Sequence, residues 1–204
     1  MGVMNKLASR WRSLLKLSLF CLALAVPISA WGQDANEHTI VNKDGQARYT
    51  NVKYAYAVSY SPAIFEAAPE SDSGDGKKLS SKDGKAAISV YAHAALNTEK
   101  GGEIFSFNQL YASTLKEISQ DSKITYKKQG QGWFVISGMK GKQVFYQKSL
   151  YDDGTEKVFW AEYDQSAKPK YDSIIAASAD SFKNVLGGWV GSKTMGSESK
   201  RLKP

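Results

Sequence analysis

The dipeptide Asp-Gly recurs at 44–45, 75–76, 83–84 and 153–154, and three of these copies sit inside runs of β-forming residues. An Asp-Gly pair can occupy both positive-φ positions of a type I′ turn, whose twist matches that of two paired strands. The segments "TIVNKDGQARYT", "KKLSSKDGKAAISVYAHAAL" and "KQVFYQKSLYDDGTEKVFWAEY" are therefore predicted hairpins. A chain punctuated in this way builds antiparallel sheet from sequence neighbours.

The remaining acidic stretch, "ESDSGDG", resembles a calcium loop only in composition. Counting from Asp72, the third position is Gly74, the sixth is Lys77 and the twelfth is Asp83. A helix-loop-helix calcium loop needs an oxygen ligand, a glycine and a bidentate glutamate at those places. The stretch is predicted to be a solvated loop between "SYSPAIF" and the next strand. No metal is expected.

Helical spacing replaces the two-residue alternation in two places. In "FSFNQLYASTLKEIS", Phe107, Leu110, Tyr111, Thr114, Leu115 and Ile118 line one face, with Ser106 and Gln109 placed as a capping box. In "KPKYDSIIAASADSFKNVL", Pro169 suits the first turn, Tyr171, Ile174, Ile175, Ala179 and Phe182 form the stripe, and Gly187-Gly188 is the predicted stop. Between them, "SKITYKKQG", "GWFVISGMK", "KQVFYQKSLY" and "EKVFWAEYD" form a four-strand antiparallel meander. "VFWAEY" carries bulk on both faces, so this strand is expected to be covered on both. The predicted class is α+β, an antiparallel sheet sandwiched by helices.

The amino terminus is read as a leader. Lys6, Arg10, Arg12 and Lys16 precede an apolar run from Leu17 to Ile28, too short for the roughly 20 residues of a membrane-spanning helix. Ala30-Trp31-Gly32 places cleavage before Gln33, with a cut after Ala30 as the alternative. The only cysteine, Cys21, lies within the apolar run behind Ser18-Leu19-Phe20, which is not a lipidation sequence. The expected mature chain is cysteine-free, periplasmic or secreted, and without a transmembrane helix. It would comprise one domain, 33–187, and a basic tail, 188–204. Its 23 basic and 20 acidic residues leave a charge of +3, all of it in the tail, so the high isoelectric point of the full chain is no argument for nucleic acid.

"VSYSPAIF", "ESDSGDGKKLSSKDGKAAISVY", "ITYKKQGQGWFVISG" and "YDSIIAASADSF", taken in order, resemble a group of small exported bacterial proteins of the PsbP-like or DcrB-like type, over roughly residues 50 to 183. The resemblance implies an αβα sandwich and an accessory or binding role. It carries no catalytic residues to transfer.

Motifs for chemistry are sparse. His38 and His93 are the only histidines, and neither stands in a zinc-binding spacing. His93 falls on a strand face with Ser89 and Tyr91, opposite Ile88 and Val90, and reads as a polar strand position. Ser113-x-x-Lys116 lies off the helical stripe and lacks the companion motifs of a penicillin-binding site. No nucleophile elbow and no phosphate-binding glycine loop is present. No catalytic residue and no cofactor is assigned.

Aromatic residues are the remaining candidates for an interaction surface, since Tyr and Trp combine apolar area with a polar handle. Trp133, Tyr151, Trp160 and Tyr163 lie in the meander, where they also suit the filling of helix-sheet layers, and Trp189 follows the glycine pair. The expected function is that of an exported non-enzymatic accessory protein binding an envelope protein, cell wall or membrane component. The alternative is a small-ligand-binding or hydrolytic domain with a cleft between helix and sheet.

Overall fold

A computed structural model describes residues 37–98 and 101–185. The expected leader and its cleavage position, and the whole of the expected tail with Trp189, lie outside the described residues. In chain order the strands are β1 (Glu37–Val41), β2 (Ala47–Asn51), β3 (Tyr56–Tyr60), β4 (Phe65–Glu70), β5 (Gly76–Ser81), β6 (Ala86–Ala94), β7 (Leu96–Asn97) and β8 (Glu103–Ile104). Helix α1 (Phe107–Ile118) follows, then β9 (Lys123–Gly130), β10 (Trp133–Lys140), β11 (Gln143–Asp152) and β12 (Thr155–Asp164), then α2 (Lys168–Ser181) and β13 (Lys183–Asn184). The meander is present as β9–β12. It continues through β6 into a seven-stranded antiparallel sheet of order β4-β5-β6-β12-β11-β10-β9.

Two features depart from the expectation of one sheet under two helices. The first hairpin does not join the large sheet but forms a second antiparallel one, β1-β2-β3-β13. "ESDSGDG" is not an open loop but a hairpin turn between β4 and β5, where Gly74 N donates to Ser71 O at 2.8 Å and Ser71 N to Gly76 O at 2.9 Å. Strand β4 was hard to foresee because Pro69 has no N–H to give a ladder. The register slips between Ala67 and Glu70, and the strand lies at the sheet edge, where a proline is tolerated.

The three predicted hairpins form, but only one carries the expected turn. Asp153 and Gly154 both have positive φ, 46° and 77°. At 44–45 and 83–84 only the glycine does, and its N–H closes a turn onto Asn42 O or Ser81 O. This is a type I turn followed by a left-handed glycine. The aspartates there cap the turn instead: Asp44 Oδ1 accepts from Gln46 N at 3.3 Å and Asp83 Oδ1 from Lys85 N at 3.1 Å.

The strand alternation divides the large sheet into two faces. One turns Phe159, Ala161 and Tyr163 of β12 and Ile88 and Val90 of β6 toward α2 and the small sheet. Phe159 lies 6.0 Å from Phe182, which lies 5.6 Å from Tyr56, and Tyr171 of α2 sits between Phe65 and Tyr163. Phe159, Phe182, Tyr56, Tyr171 and Phe65 are all fully buried. Burying one such ring contributes about 1.5–3 kcal/mol.

Helix α2 ends at Ser181, not at Gly187-Gly188. Phe182 turns extended to plug the core, and the next two residues pair with β3. Ser59 N donates to Ser181 Oγ at 2.8 Å and the buried Lys157 Nζ to Asn184 Oδ1 at 2.9 Å, which fasten the exit. At the other end, Asp83 accepts from Lys170 Nζ and from Tyr171 OH, both at 2.6 Å, tying the β5–β6 turn to the helix. These donors hold the Asp83 carboxyl well below the usual carboxylate range, Lys170 contributing most.

Candidate functional site

The opposite face of the sheet is covered only in part, and the reason lies in α1. Its stripe packs Leu110 and Ile118 against Phe134 and Ile136 of β10 and Phe145 of β11, with Tyr111 5.1 Å from Phe134. Ser106 starts the helix as expected, giving both its N–H and its hydroxyl to Gln109 Oε1 at 2.9 and 2.7 Å. The helix therefore sits over the β9–β11 side. Between it and strands β6 and β12 runs an open groove of about 1360 Å³. Ala112, Ser113 and Lys116 of α1 and Gln120 just after it contribute to one wall, and Leu96, Asn97 and Thr98 also line the groove.

The floor of this groove is polar in the middle of a sheet. Gln147 Nε2 donates to Ser149 Oγ at 2.9 Å, and Ser149 Oγ donates to Glu156 Oε1 at 2.6 Å. The other carboxylate oxygen, Glu156 Oε2, lies 3.4 Å from His93 Nε2. His93 Nδ1 lies 3.0 Å from Ala94 O, and the ring stacks on Tyr91 at 5.8 Å. Register explains the convergence, because β6 and β12 pair Glu156 with His93, Val158 with Tyr91 and Trp160 with Ser89. Ser149, Glu156 and Gln147 are all buried, whereas the His93 side chain is 47% exposed.

Both ring nitrogens of His93 face acceptors, Nδ1 the carbonyl of Ala94 and Nε2 the Glu156 carboxylate at ion-pair distance. These surroundings favour the protonated ring. The same carboxylate is the main cause that raises the His93 pKa above its ordinary value, against an opposing effect of burial. Burial raises the Tyr91 hydroxyl as well, with Glu156 and Glu117 adding to it.

This order of groups does not make a nucleophile. In a catalytic triad the histidine lies between the serine and the carboxylate and takes the serine's proton. Here the carboxylate lies between them, and Ser149 is fully buried with its proton directed at Glu156. The arrangement holds the His93 ring in place at the surface of the groove.

The aromatic candidates do not share one surface. Trp160 lines the groove, its ring stacked on Phe145 at 5.5 Å and 8°. Tyr151 is on the same face but under the α1 entrance, donating its hydroxyl to Phe105 O at 2.6 Å. Trp133 packs against the opposite, α2-side core. Tyr163 is buried there too and donates to Asp172 Oδ1 at 2.6 Å. Trp189 lies outside the described residues. Ser113 and Lys116 stand on the groove wall, off the packed stripe as expected.

Sequence reasoning placed His93 on the face of Ser89 and Tyr91 but gave it no partner. The polar floor of Gln147, Ser149 and Glu156 was missed. Its signal was present: Gln147, Ser149 and Tyr151 alternate with Tyr146, Lys148 and Leu150, and Glu156 stands two residues before Val158 on the same face. Among the described residues, no group of three or more His, Cys, Asp or Glu side chains is placed to hold a metal ion. No helix among them is long and apolar enough to cross a membrane.

No protein-family model and no curated protein matches the sequence. Among solved structures, the chain is similar to the solution structure of cyanobacterial PsbP (CyanoP) from Synechocystis sp. PCC 6803, with a TM-score of 0.50 and 12% sequence identity. The match covers 71% of this chain and 95% of that one. The chain has a PsbP-like fold.

Proposed function

We propose that this chain is an exported, non-enzymatic accessory domain of the bacterial envelope that binds its ligand in the groove between α1 and the β6–β12 half of the sheet. The observation that carries this is the fixed polar floor. Four side chains, Gln147, Ser149, Glu156 and His93, are joined end to end at positions where a merely structural sheet face would bury apolar groups. Buried polar groups of this kind cost stability unless each is satisfied, and satisfied networks rigidify what they support. With the ring nitrogens facing Ala94 O and Glu156 and the serine proton given to Glu156, the groove offers orientation and hydrogen bonding rather than a base and a nucleophile. The hydrolytic alternative is thus the weaker one, whereas a cleft between helix and sheet is retained. Export through the leader at residues 1–32, and likeness to the DcrB-like group beside the PsbP-like one, belong to the same proposal.

A photo-crosslinking residue placed at Ala112, which lines the groove, and one at Ser173, on the outside of α2, provide the test. In the exported protein, adducts are expected from position 112 and not from 173. Adducts from 173 alone, or equal labelling at both, would refute the groove as the binding site. Intact mass of the exported product, expected to begin at Gln33 with no lipid on Cys21, tests the leader.

A further inference from the structure

We infer that the groove takes a neutral oligosaccharide, an inference that rests on the groove being the binding site. Its charges cancel. His93 is paired with Glu156, and Lys140 with Asp121 at 2.5 Å, which leaves only Lys116 and Glu117, neighbours of opposite sign on α1. Such a lining attracts neither a polyanion nor a basic peptide. Beyond these balanced charges, the lining offers the hydroxyls of Ser89, Ser113 and Thr98 and the amides of Asn97, Gln109 and Gln120. Hydroxyls and amides both donate and accept, which matches a ligand whose own groups are mostly hydroxyls.

The aromatic groups add the second half of the argument. Tyr91 and His93 form a stacked pair at the groove floor, and Trp160 presents an indole already held flat by Phe145. Ring faces carry negative quadrupole charge and are attracted to weakly positive C–H groups, which a pyranose offers on its flat faces. The groove, about 1360 Å³ and open to solvent, does not confine a ligand to a single unit.

Peptide modes fit less well. An added strand needs a free sheet edge, but β6, β12 and β11 are interior strands paired on both sides. A docked amphipathic helix needs an apolar floor, and Gln147, Glu156 and Ser89 make this one polar.

The test is a titration of the isotopically labelled mature protein, followed by amide and indole NMR shifts. The neutral probes are a β-linked N-acetylglucosamine tetramer, cellotetraose and maltotetraose, and the charged comparators are a heparin tetrasaccharide and oligolysine. The expected result is saturable shifts at Ser89, Tyr91, Ser113 and the Trp160 indole with at least one neutral probe, unchanged between about 0.05 and 0.5 M salt. Tyr91→Ala, at an exposed side chain, is expected to weaken that binding about tenfold while the melting temperature moves by no more than about 2 °C. If none of the neutral probes shifts the groove resonances at millimolar concentration, or if only a charged comparator does, the oligosaccharide inference is overturned, and crosslinking from Ala112 decides separately whether the groove binds something else. Shifts confined to the α2 side would overturn both.

Discussion

The two faces of the seven-stranded sheet share their strands and little else. On the α2 side, β12 contributes Phe159, Ala161 and Tyr163 to a closed aromatic core, and each peripheral carboxylate there, Asp83 and Asp172, is engaged by donors from two or more residues. On the α1 side the same strand contributes Glu156, Val158 and Trp160 to a face that a single twelve-residue helix covers only in part. Alternation with a period of two lets one strand serve both purposes without compromise, since neighbouring residues never compete for the same side. The closed core lies on one face and the open groove on the other.

Substitutions on the α2 face should have the largest effect. Phe159→Ala removes a fully buried ring in contact with Tyr146 and Phe182, and is expected to cost about 3–5 kcal/mol in urea unfolding. Ligand binding per folded molecule should stay unchanged; a loss of binding in the remaining folded fraction would show that the faces are not independent. Glu156→Ala takes away the acceptor of the buried Ser149 hydroxyl and the ion-pair partner of His93, for a loss on the order of 1–3 kcal/mol. This variant should also lose groove binding, and stability equal to wild type would mean that the network does not hold the floor.

The pH dependence separates the faces further. The folded His93 pKa is raised, so its pairing with Glu156 stabilises fully below the unfolded value near 6.5 and is lost as pH rises through the higher folded value. Groups facing it are Glu156, Tyr91 and, at longer range, Asp75. Wild-type melting temperature should therefore fall from about pH 6.5 upward relative to His93→Ala. Parallel curves for the two proteins would contradict a raised His93 pKa. Asp83 has the opposite sign: its depressed pKa makes its contribution present above about pH 4 and lost only in strong acid. The smallest effect on stability is expected at the groove wall, where Ala112→Trp should change unfolding by less than about 0.5 kcal/mol yet block the groove.

Legibility in the sequence follows the same division. Periodicity located the meander, both helices and the capping box, because burial on the α2 face and along the α1 stripe leaves an apolar rhythm. It failed where side-chain chemistry overrides rhythm. Strand β4 escaped because Pro69 breaks its pattern, and the end of α2 was misplaced because Phe182 belongs to the core without belonging to the helix. The groove was invisible for a deeper reason. A polar residue on a strand normally signals solvent, and only the pairing of β6 with β12 shows that Glu156 and His93 face each other across sixty-three residues of chain.

That pairing also sets an order of events in folding. Ala95 N donates to Gly154 O at 2.8 Å, so residues 95 to 154, with α1 and β9–β11, return to their own starting point. The meander within this stretch is made of local contacts that form cheaply, whereas the β6–β12 seam must close a long loop before it gains anything. The seam is then expected to be a later step than the meander, and it is the step that brings the two sides of the groove floor together. The chain is expected to become competent for a groove ligand only as it completes its sheet, and a bound ligand would act as a clasp across that junction.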